Sequence, residues 1–548
     1  MNRGQSIVVA VTCAFLIQSC SPSSSVQRTE TGRKVINPNQ PITLPTDGIK
    51  ALPRPTTFLI LGKSEFGSTL SNFVKHKNAL GIPTSFVDLE GIQQFYGPGD
   101  PAERVKRAIA IAFVNADIRY VMLVGDAGLF PVRHKYMNGG REFGRPDAGR
   151  DDWWEDGSYA PTDHYYANLF HHQDPGAKFE KLDMTKFDNW DDNGNGKFNE
   201  QVWQWDAKQQ DSNNPLNVIT YNPDKVDAYP DIAVGRVPVH NENELAIYVD
   251  KVIKYDNGMM LPGSKRGLCL LAGGTYPGSD GLLDGIIGYN SVGDVIGQDN
   301  ILKFGFNFPE NKVQFTGTWA PGSFPGVRNA VNSTWGLIYL GHGYSQGWDI
   351  SDTKIPFNAS EVDKFIGQLS LPVVFGIGCE TGAFMPTVPI GKYLGVYNDA
   401  VWYYQFSHDV IWKSSPSNMT TPDPTHPMKD LPTIIEPPGT LDFPDQPDRT
   451  FACPWLFQKN KGGAIAYFGE TVVCEDYHGA QLTERVLDSY CKCKFSPVLL
   501  GDIWLLGQRK YWTDFKDDTG VFSNPRNFLC IETFFGDPTL RLPDSPGR

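Results

Sequence analysis

A histidine and a cysteine each follow a short apolar run at a glycine-rich turn. The run WGLIYL (335–340) is followed by glycine and His342, and LPVVF (371–375) is followed by Gly-Ile-Gly and Cys379. Parallel sheets bind ligands outside the carboxyl ends of their strands, so we expect both side chains at one sheet edge. A thiolate attacks a carbonyl carbon, and an imidazole accepts and returns the proton. The pair predicts acyl-transfer chemistry with Cys379 as nucleophile and His342 as general acid/base.

The glycines beside these two residues have a chemical interpretation of their own. Glycine permits tight turns and lets backbone N–H groups approach a reacting carbonyl. We expect the backbone N–H groups near Gly343 and Cys379 to form an oxyanion hole, in which each donor is worth about 3 kcal/mol. Taken singly, a cysteine after an apolar strand is more often a buried, inert thiol, and a lone histidine is more often structural. The matching positions of the two favour chemistry.

The rest of the chain alternates apolar runs with amphipathic stretches from about residue 55. Strand, helix and strand at these intervals predict βαβ crossovers and parallel sheets with helices on both faces. Residues 134–225 are rich in Asp, Asn and Gly and are expected to be mostly loop. The predicted strands and helices, in chain order, are Thr57–Gly62, Ser68–Leu80, Thr84–Leu89, Asp100–Ile118, Tyr120–Asp126, Asp231–Val239, Asn243–Tyr255, Gly267–Ala272, Trp335–Leu340, Leu371–Phe375 and Ala464–Phe468.

A turn-rich break near residues 257–265 divides this pattern into two α/β units. We expect an N-terminal α/β subdomain over residues 51–260 and a catalytic subdomain over 261–548. A proline-rich insertion at 414–451 in the second unit is expected to be irregular.

The first twenty residues predict the compartment. Arg3 precedes an apolar stretch, Ser6–Ile17, that is too short to cross a bilayer about 30 Å thick but suits a signal peptide. The stretch ends in Ile-Gln-Ser-Cys20, which resembles a bacterial lipobox with Cys20 as the lipidated residue; the alternative is an ordinary secretory signal. A flexible tether over 21–50 follows. We therefore expect a bacterial cell-envelope protein, lipid-anchored through Cys20 to the outer membrane or cell surface.

The net charge bears on which partners the protein binds, and the cysteine count bears on which disulfides it can form. The net charge of −13 argues against nucleic acid as a partner. Seven of the nine cysteines lie after Cys20. In an oxidising compartment six of them can pair in disulfides and leave an odd thiol, and Cys379 stands apart from the cluster after residue 450.

The segment DDNGNG (191–196) predicts a second kind of site. Side-chain oxygens at alternate positions and a glycine at the sixth suit an oxygen-coordinated Ca²⁺ loop, with Asp191, Asn193, Asn195 and Glu200 as ligands. An EF-hand would carry a glutamate at the twelfth position, where this chain has Val202. The alternative is a polar turn without metal. We expect no cofactor for catalysis. The calcium would be structural, because the loop lies in the first unit and not beside Cys379.

Several segments together resemble the gingipain-type cysteine peptidases, in the clan with caspases, legumains and clostripain. They are YVMLVGDAGLFPVR, TDHYYANL, WDDNGNGKFNE, PDIAVGRVPVHNENELAIYVDKVIKYD, GLIYLGHGYSQGW, LPVVFGIGCETGAF, GGAIAYFGET and FFGDPTLRL, which occur in this order over about residues 55–540. The resemblance implies a caspase-like α/β fold in two subdomains, each with a mostly parallel sheet flanked by helices. It also implies Cys379 as nucleophile, His342 as general acid/base, and protein or peptide substrates. A third residue that orients the imidazole is expected after strand 267–272, where Asp280 and Asp284 are the nearest carboxylates.

The sequence therefore predicts a secreted or surface-anchored cysteine endopeptidase. Two alternatives stay open. One is an inactive, peptidase-like surface protein for binding or assembly. The other is a thiol acyltransferase or amidase that uses the same pair, because the acceptor that reaches the acyl-enzyme decides between hydrolysis and transfer.

Overall fold

The protein is described by a computed structural model in which the larger compact unit contains one long β-sheet. The described residues are 49, 52–96, 100–136, 159–172, 182–194, 196, 198–200, 202–205, 218–258, 267–274, 295, 301–305, 320–321, 324–350, 357–368, 370–384, 392–397, 400–405, 410–415, 418–422, 450–458, 462–472, 476–494, 496–517 and 525–543. No helix among these residues is long and apolar enough to cross a membrane.

The strands, numbered along the described part of the chain, are mostly short. They are β1 (Phe58–Gly62), β2 (Thr84–Asp88), β3 (Tyr120–Val124), β4 (Arg133–Tyr136), β5 (Tyr159–Thr162), β6 (Val202–Trp205), β7 (Val218–Tyr221), β8 (Ala233–Val237), β9 (Gly267–Gly274), β10 (Ile301–Gly305), β11 (Ala320–Pro321), β12 (Thr334–Tyr344), β13 (Gly347–Asp349), β14 (Phe357–Asn358), β15 (Val373–Ile377), β16 (Lys392–Tyr397), β17 (Ala400–Gln405), β18 (Val410–Ser415), β19 (Asn418–Pro422), β20 (Ala466–Glu470), β21 (Val498–Leu499), β22 (Glu532–Phe535) and β23 (Arg541–Leu542).

The helices alternate with these strands. They are α1 (Gly67–Ala79), α2 (Leu89–Phe95), α3 (Pro101–Ala116), α4 (His164–Ala167), α5 (Glu242–Asp256), α6 (Phe324–Val331), α7 (Ala359–Val362), α8 (Ala452–Leu456), α9 (Asp476–Lys492), α10 (Leu500–Phe515) and α11 (Pro525–Ile531). Several begin at side-chain caps: Asp100 accepts a hydrogen bond from the N–H of Glu103, and Asn241 accepts one from the N–H of Glu244.

The long sheet consists of two parallel blocks that run in opposite directions. Its order is β11-β10-β9-β12-β15-β20-β22-β8-β3-β1-β2. Strands β11 to β20 are mutually parallel, β22 is antiparallel to β20, and β22 to β2 are again mutually parallel. The first block, β22 to β2, meets the second block, β11 to β20, where β22 pairs antiparallel with β20. The expected α/β class, with a mostly parallel sheet flanked by helices, is confirmed.

Both predicted subdomains contribute strands to this one sheet, and β22, from the second subdomain, joins the block that the strands of the first subdomain form. The compact units divide the chain differently, because residues 392–434, together with residues 1–35, separate from the rest. The described strands of that smaller unit form a four-stranded antiparallel sheet, β16-β17-β18-β19. The boundary at residues 260 and 261 stays a prediction.

Two expectations about loops are wrong in part. The region 134–225 includes paired strands β4–β5 and β6–β7 and helix α4, because aromatic and β-branched residues outweigh the polar loop composition there. The proline-rich insertion begins in strands β18 and β19, where the hydrogen-bonded ladder tolerates Pro422 at a strand end. The remainder of that insertion, up to residue 449, lies outside the described residues.

The core lies on both faces of the sheet, as the alternation along β1 shows. Phe58 and Ile60 belong to the core that α1 and α5 cover, whereas Leu59 and Leu61 belong to the core that α3 covers. All four side chains are fully buried. A strand that is buried on both faces is apolar at every position, which explains the uninterrupted FLIL run.

A buried lysine joins α1 to the segment after β22. The Nζ of Lys77 lies 2.7 Å from Oδ2 of Asp256 and 2.6 Å from Oδ2 of Asp537, and these three side chains are fully buried. Asp537 also accepts hydrogen bonds from the backbone and hydroxyl of Thr539. The aspartate of the FFGDPTL segment thus caps its own turn and neutralises Lys77.

Replacement of Lys77 by methionine should destabilise the fold strongly, because two buried carboxylates lose their counterion. We expect the free energy of unfolding to fall by about 3–5 kcal/mol, measured by urea denaturation. Lys254→Met is the matched control, since Lys254 pairs with the half-exposed Asp250. That control should change the free energy by about 0–1 kcal/mol. Equal effects of the two substitutions on the free energy of unfolding would contradict the role of Lys77 as the counterion of Asp256 and Asp537.

Candidate active site

The segments that carry His342 and Cys379 lie side by side. Strands β12 and β15 are parallel neighbours, with Leu340 in register with Ile377. His342 comes two residues after Leu340, and Cys379 comes two residues after Ile377. Both residues are half-buried, and both lie just beyond the last register pair of β12 with β15, at the carboxyl edge of the second block.

Glycines allow the two backbones to approach closely. A Cβ at Gly378 would lie 2.6 Å from the carbonyl oxygen of Gly341, and a Cβ at Gly343 would lie 2.8 Å from the carbonyl oxygen of Cys379. Gly341 has φ of +154°, which side chains rarely adopt. The Gly-His-Gly and Gly-Cys sequences are therefore required by main-chain contact between the two segments.

An aromatic residue, Tyr339, fixes the backbone of the histidine segment. The hydroxyl of Tyr339 donates a hydrogen bond to the carbonyl oxygen of His342 at 2.6 Å. The ring of Tyr339 is buried and stacks on Trp348 at a centroid distance of 4.4 Å. Trp348 lies on β13, which folds back antiparallel to β12 with Gly343 opposite Trp348. The backbone at His342 is fixed on both sides.

The cysteine segment is a tight turn. Glu380 has a left-handed backbone, with φ of +59°, and its N–H donates to the carbonyl oxygen of Val472 at 3.1 Å. The hydroxyl oxygen of Thr381 lies 2.7 Å from the carbonyl oxygen of Gly376 and 3.0 Å from that of Gly378. Burial raises the pKa of the Glu380 carboxyl. These contacts turn the chain sharply directly after Cys379.

A second acidic residue, Glu470, lies beneath this turn, and sequence reasoning missed it. Its carboxylate accepts a hydrogen bond from the N–H of Gly378 at 3.0 Å. The side chain is fully buried at the end of β20. The available signal was a single acid that ends an otherwise apolar strand, AYFGE, because a buried acid at such a place needs hydrogen-bond donors.

The expected disulfide pairing is wrong for the described cysteines. Six of them are thiols: Cys269, Cys379, Cys453, Cys491, Cys493 and Cys530. Cys474 lies outside the described residues. An odd count therefore does not single out Cys379, but exposure narrows the choice, since Cys379 and Cys491 are the two partly exposed thiols among the six. Burial raises the pKa of the Cys491 thiol to about 11, which makes it a poor nucleophile.

The predicted calcium loop is described in part. The N–H of Gly196 donates to the carboxylate of Asp191 at 3.1 Å, and the amide of Asn193 lies 3.3 Å from the carboxylate of Glu200. Asn195 lies outside the described residues, as do Asp280, Asp284 and Cys20. No group of three His, Cys, Asp or Glu side chains in the described ranges has the geometry of a metal site.

Sequence reasoning missed one carboxylate beside this loop. Asp224 is buried, and its Oδ2 accepts a hydrogen bond from the N–H of Glu200 at 2.6 Å. Its Oδ1 has no hydrogen-bond partner among the described residues. Burial, together with the charges of Asp191 and Glu200, raises the pKa of Asp224 to about 7. An acid far from the loop in sequence gave no signal that could link it to DDNGNG.

Solved structures with a similar fold are cysteine proteinases, although sequence identity to them is low. The complex of the pro- and mature domains of Porphyromonas gingivalis RgpB is 16% identical, covers 89% of this chain and 79% of its own, and has a TM-score of 0.50. The Arg-specific cysteine proteinase gingipain R (RgpB) is 15% identical over 89% and 78% of the two chains, also with a TM-score of 0.50. No curated protein matches the chain.

The family comparison is more specific than these structural matches. The model of peptidase family C25 matches residues 51–420, about two thirds of the sequence. That range includes both the histidine and the cysteine segments. The resemblance to gingipain-type peptidases is thereby confirmed, and the chain belongs to peptidase family C25, the gingipain family.

Proposed function

We propose that the protein is an active cysteine endopeptidase in which Cys379 and His342 are the catalytic pair. The observation that carries the proposal is the parallel pairing of β12 and β15, with Leu340 opposite Ile377. It brings a half-buried thiol and a half-buried imidazole to one sheet edge in a chain of a peptidase family.

The chemistry follows from the two groups. The Cys379 thiolate attacks the scissile carbonyl carbon, and the negative charge that develops on oxygen is stabilised by backbone N–H groups, with Gly343 as one donor. His342 gives a proton to the leaving amine, so the C–N bond breaks and an acyl-enzyme remains. His342 then takes a proton from water, which attacks the thioester and releases the acid. Asp280 or Asp284 remains our proposal for the residue that orients the imidazole.

The setting of this reaction is the cell envelope. The sequence features of residues 1–20 support export and lipidation at Cys20, with residues 21–50 as the tether. The substrates are proteins or peptides that reach this surface. The two gingipain R structures are of an Arg-specific enzyme, but their low identity supports the fold and not the side-chain preference of this chain.

Cys379→Ala and His342→Ala should each abolish peptide hydrolysis. We expect kcat/KM to fall more than about 10³-fold, because removal of either partner removes the nucleophile or its proton acceptor. The measurement is turnover of a fluorogenic peptide library by the chain from Ser21 onward, with Cys491→Ala as the control for a second partly exposed thiol.

Three outcomes distinguish this function from its alternatives. Turnover that survives Cys379→Ala, or a wild-type chain that cleaves nothing while Cys379 reacts with iodoacetamide no faster than Cys491, would contradict the proposal. The second outcome favours an inactive binding or assembly protein. Transfer of the acyl group to an added amine in preference to water would instead identify an acyltransferase.

We also propose a structural calcium ion at the loop 191–196. The support is the buried Asp224, whose Oδ1 has no hydrogen-bond partner in the described part of the chain and which lies against Asp191 and Glu200. The charges of Asp191 and Glu200 act on Asp224, and a divalent cation would remove that repulsion. Asp191, Asn193, Asn195 and Glu200 would supply oxygen ligands, with Asp224 as an added one.

Calcium should raise the thermal unfolding midpoint. A ligand at about 100 times its Kd stabilises the folded state by about 2.7 kcal/mol, which corresponds to a few degrees. We expect this rise on addition of Ca²⁺ to chelator-treated protein, measured by circular dichroism. Asp191→Ala should abolish the rise, whereas Asp250→Ala, an exposed acid on α5, should preserve it. A midpoint that does not respond to calcium would rule out the site.

A further inference from the structure

A fully buried carboxylate lies next to the turn that carries Cys379. Glu470 is the last residue of β20, and Glu532 is its register partner on the antiparallel strand β22. A carboxylate without water is costly unless hydrogen-bond donors replace its hydration shell. The donors that Glu470 uses are therefore informative.

Two N–H groups donate to Glu470, one from each side of Cys379: that of Gly378 to its carboxylate and that of Gly382 to its carbonyl oxygen. The Oε2 atom of Glu470 accepts a hydrogen bond from the N–H of Gly378, the residue directly before the cysteine, at 3.0 Å. The hydroxyl oxygen of Thr381 lies 3.4 Å from the same Oε2. The carbonyl oxygen of Glu470 accepts from the N–H of Gly382 at 2.8 Å. One residue thus holds the turn before and after Cys379.

The carboxylate is also confined by the helix that packs over it. A Cβ at Gly479 of α9 would lie 2.9 Å from Oε1 of Glu470 and 2.4 Å from Cγ2 of Ile377. The glycine lets α9 approach until it touches both residues. Glu470 cannot swing away from Gly378 unless the helix moves.

The carboxyl of Glu532 lies beside that of Glu470 on the neighbouring strand. Its Oε2 is buried and has no hydrogen-bond partner among the described residues. Burial, and after it the charge of Glu470, raises the pKa of Glu532 well above its usual range. Two adjacent buried carboxyls do not both ionise. The raised pKa of Glu532 lowers the like-charge repulsion on Glu470, whose carboxylate accepts the hydrogen bond from Gly378.

We propose that Glu470 is a positioning residue, which fixes the Cys379 turn against His342 through the N–H of Gly378. The proposal rests on the function of Cys379 as nucleophile proposed above. Without this acceptor the buried N–H of Gly378 has lost its partner, and the turn shifts to find another. A shift of about 1 Å between reacting groups costs about 10²-fold in rate.

The test compares two substitutions of similar size at Glu470. Glu470→Met fills the same space without an acceptor, whereas the amide oxygen of Glu470→Gln can still accept from Gly378. We expect kcat to fall by about 10²-fold in the methionine variant, with KM changed less than about 3-fold. The glutamine variant should stay within about 5-fold of wild type. Glu361→Met is the control for loss of a buried glutamate away from the turn.

A second measurement separates this inference from the proposed function. The rate at which iodoacetamide alkylates Cys379, followed by peptide mapping, reports the setting of the thiol without any substrate. It should fall in Glu470→Met and not in Glu470→Gln or Glu361→Met. If neither wild type nor any variant hydrolyses peptides, the proposed function fails. The alkylation rates then still decide whether Glu470 positions Cys379.

Three results would overturn the inference. The first is an unchanged kcat and alkylation rate in Glu470→Met. The second is an equal loss in the methionine and glutamine variants. The third is a loss that disappears once activity is normalised to the folded fraction seen by circular dichroism. Any of these results would make Glu470 a residue of the fold alone.

Discussion

The parallel pairing of β12 with β15 is the constraint on which the rest of the site depends. It sets Leu340 opposite Ile377, so His342 and Cys379, each two residues further along the chain, lie at the same level of the sheet. These two strands lie in the middle of the sheet, and hydrophobic cores cover the sheet on both faces. A slip of one residue would send one of the two side chains to the opposite face.

Buried charge in this fold is arranged in two ways. In the first block, Lys77 is matched by the carboxylates of Asp256 and Asp537, so opposite charges meet without water. At the junction of the two blocks, the carboxyls of Glu470 and Glu532 are neighbours of the same kind; the N–H of Gly378 donates to Glu470, and burial raises the pKa of Glu532. The first arrangement joins a helix to the segment after β22, whereas the second lies beside the turn that carries Cys379. Buried acids without a cation are the more informative of the two for function.

The sequence predicted the elements of the fold well where hydrophobic pattern decides them. The run FLIL, the helix expected over 100–118 and observed over 101–116, and the strands before His342 and Cys379 all follow from local residue types. The direction of β22 could not be predicted from the sequence, because no local residue pattern tells whether a four-residue apolar strand pairs parallel or antiparallel with its neighbour. The predicted calcium loop followed from spacing, but Asp224 did not, since the fold alone brings it to Glu200.

Glu470 was missed for a related reason. Its role depends on the N–H of Gly378, which is 92 residues away along the chain, and no local pattern encodes such a contact. The disulfide expectation was wrong because it assumed that all but one of the cysteines of an exported chain pair, whereas several serve as core residues. Cys269, Cys453 and Cys530 instead fill the core as small apolar side chains.

The glycines around the pair have a consequence for anyone who would transplant this site. Gly343, Gly378 and Gly382 each face main-chain atoms at distances that no Cβ can occupy. A scaffold that received only the histidine and the cysteine would hold its two chains too far apart, however well the side chains were chosen. The transferable unit is a pair of backbone segments in contact, and searches for similar sites in other proteins would do better to look for that geometry than for two residue types.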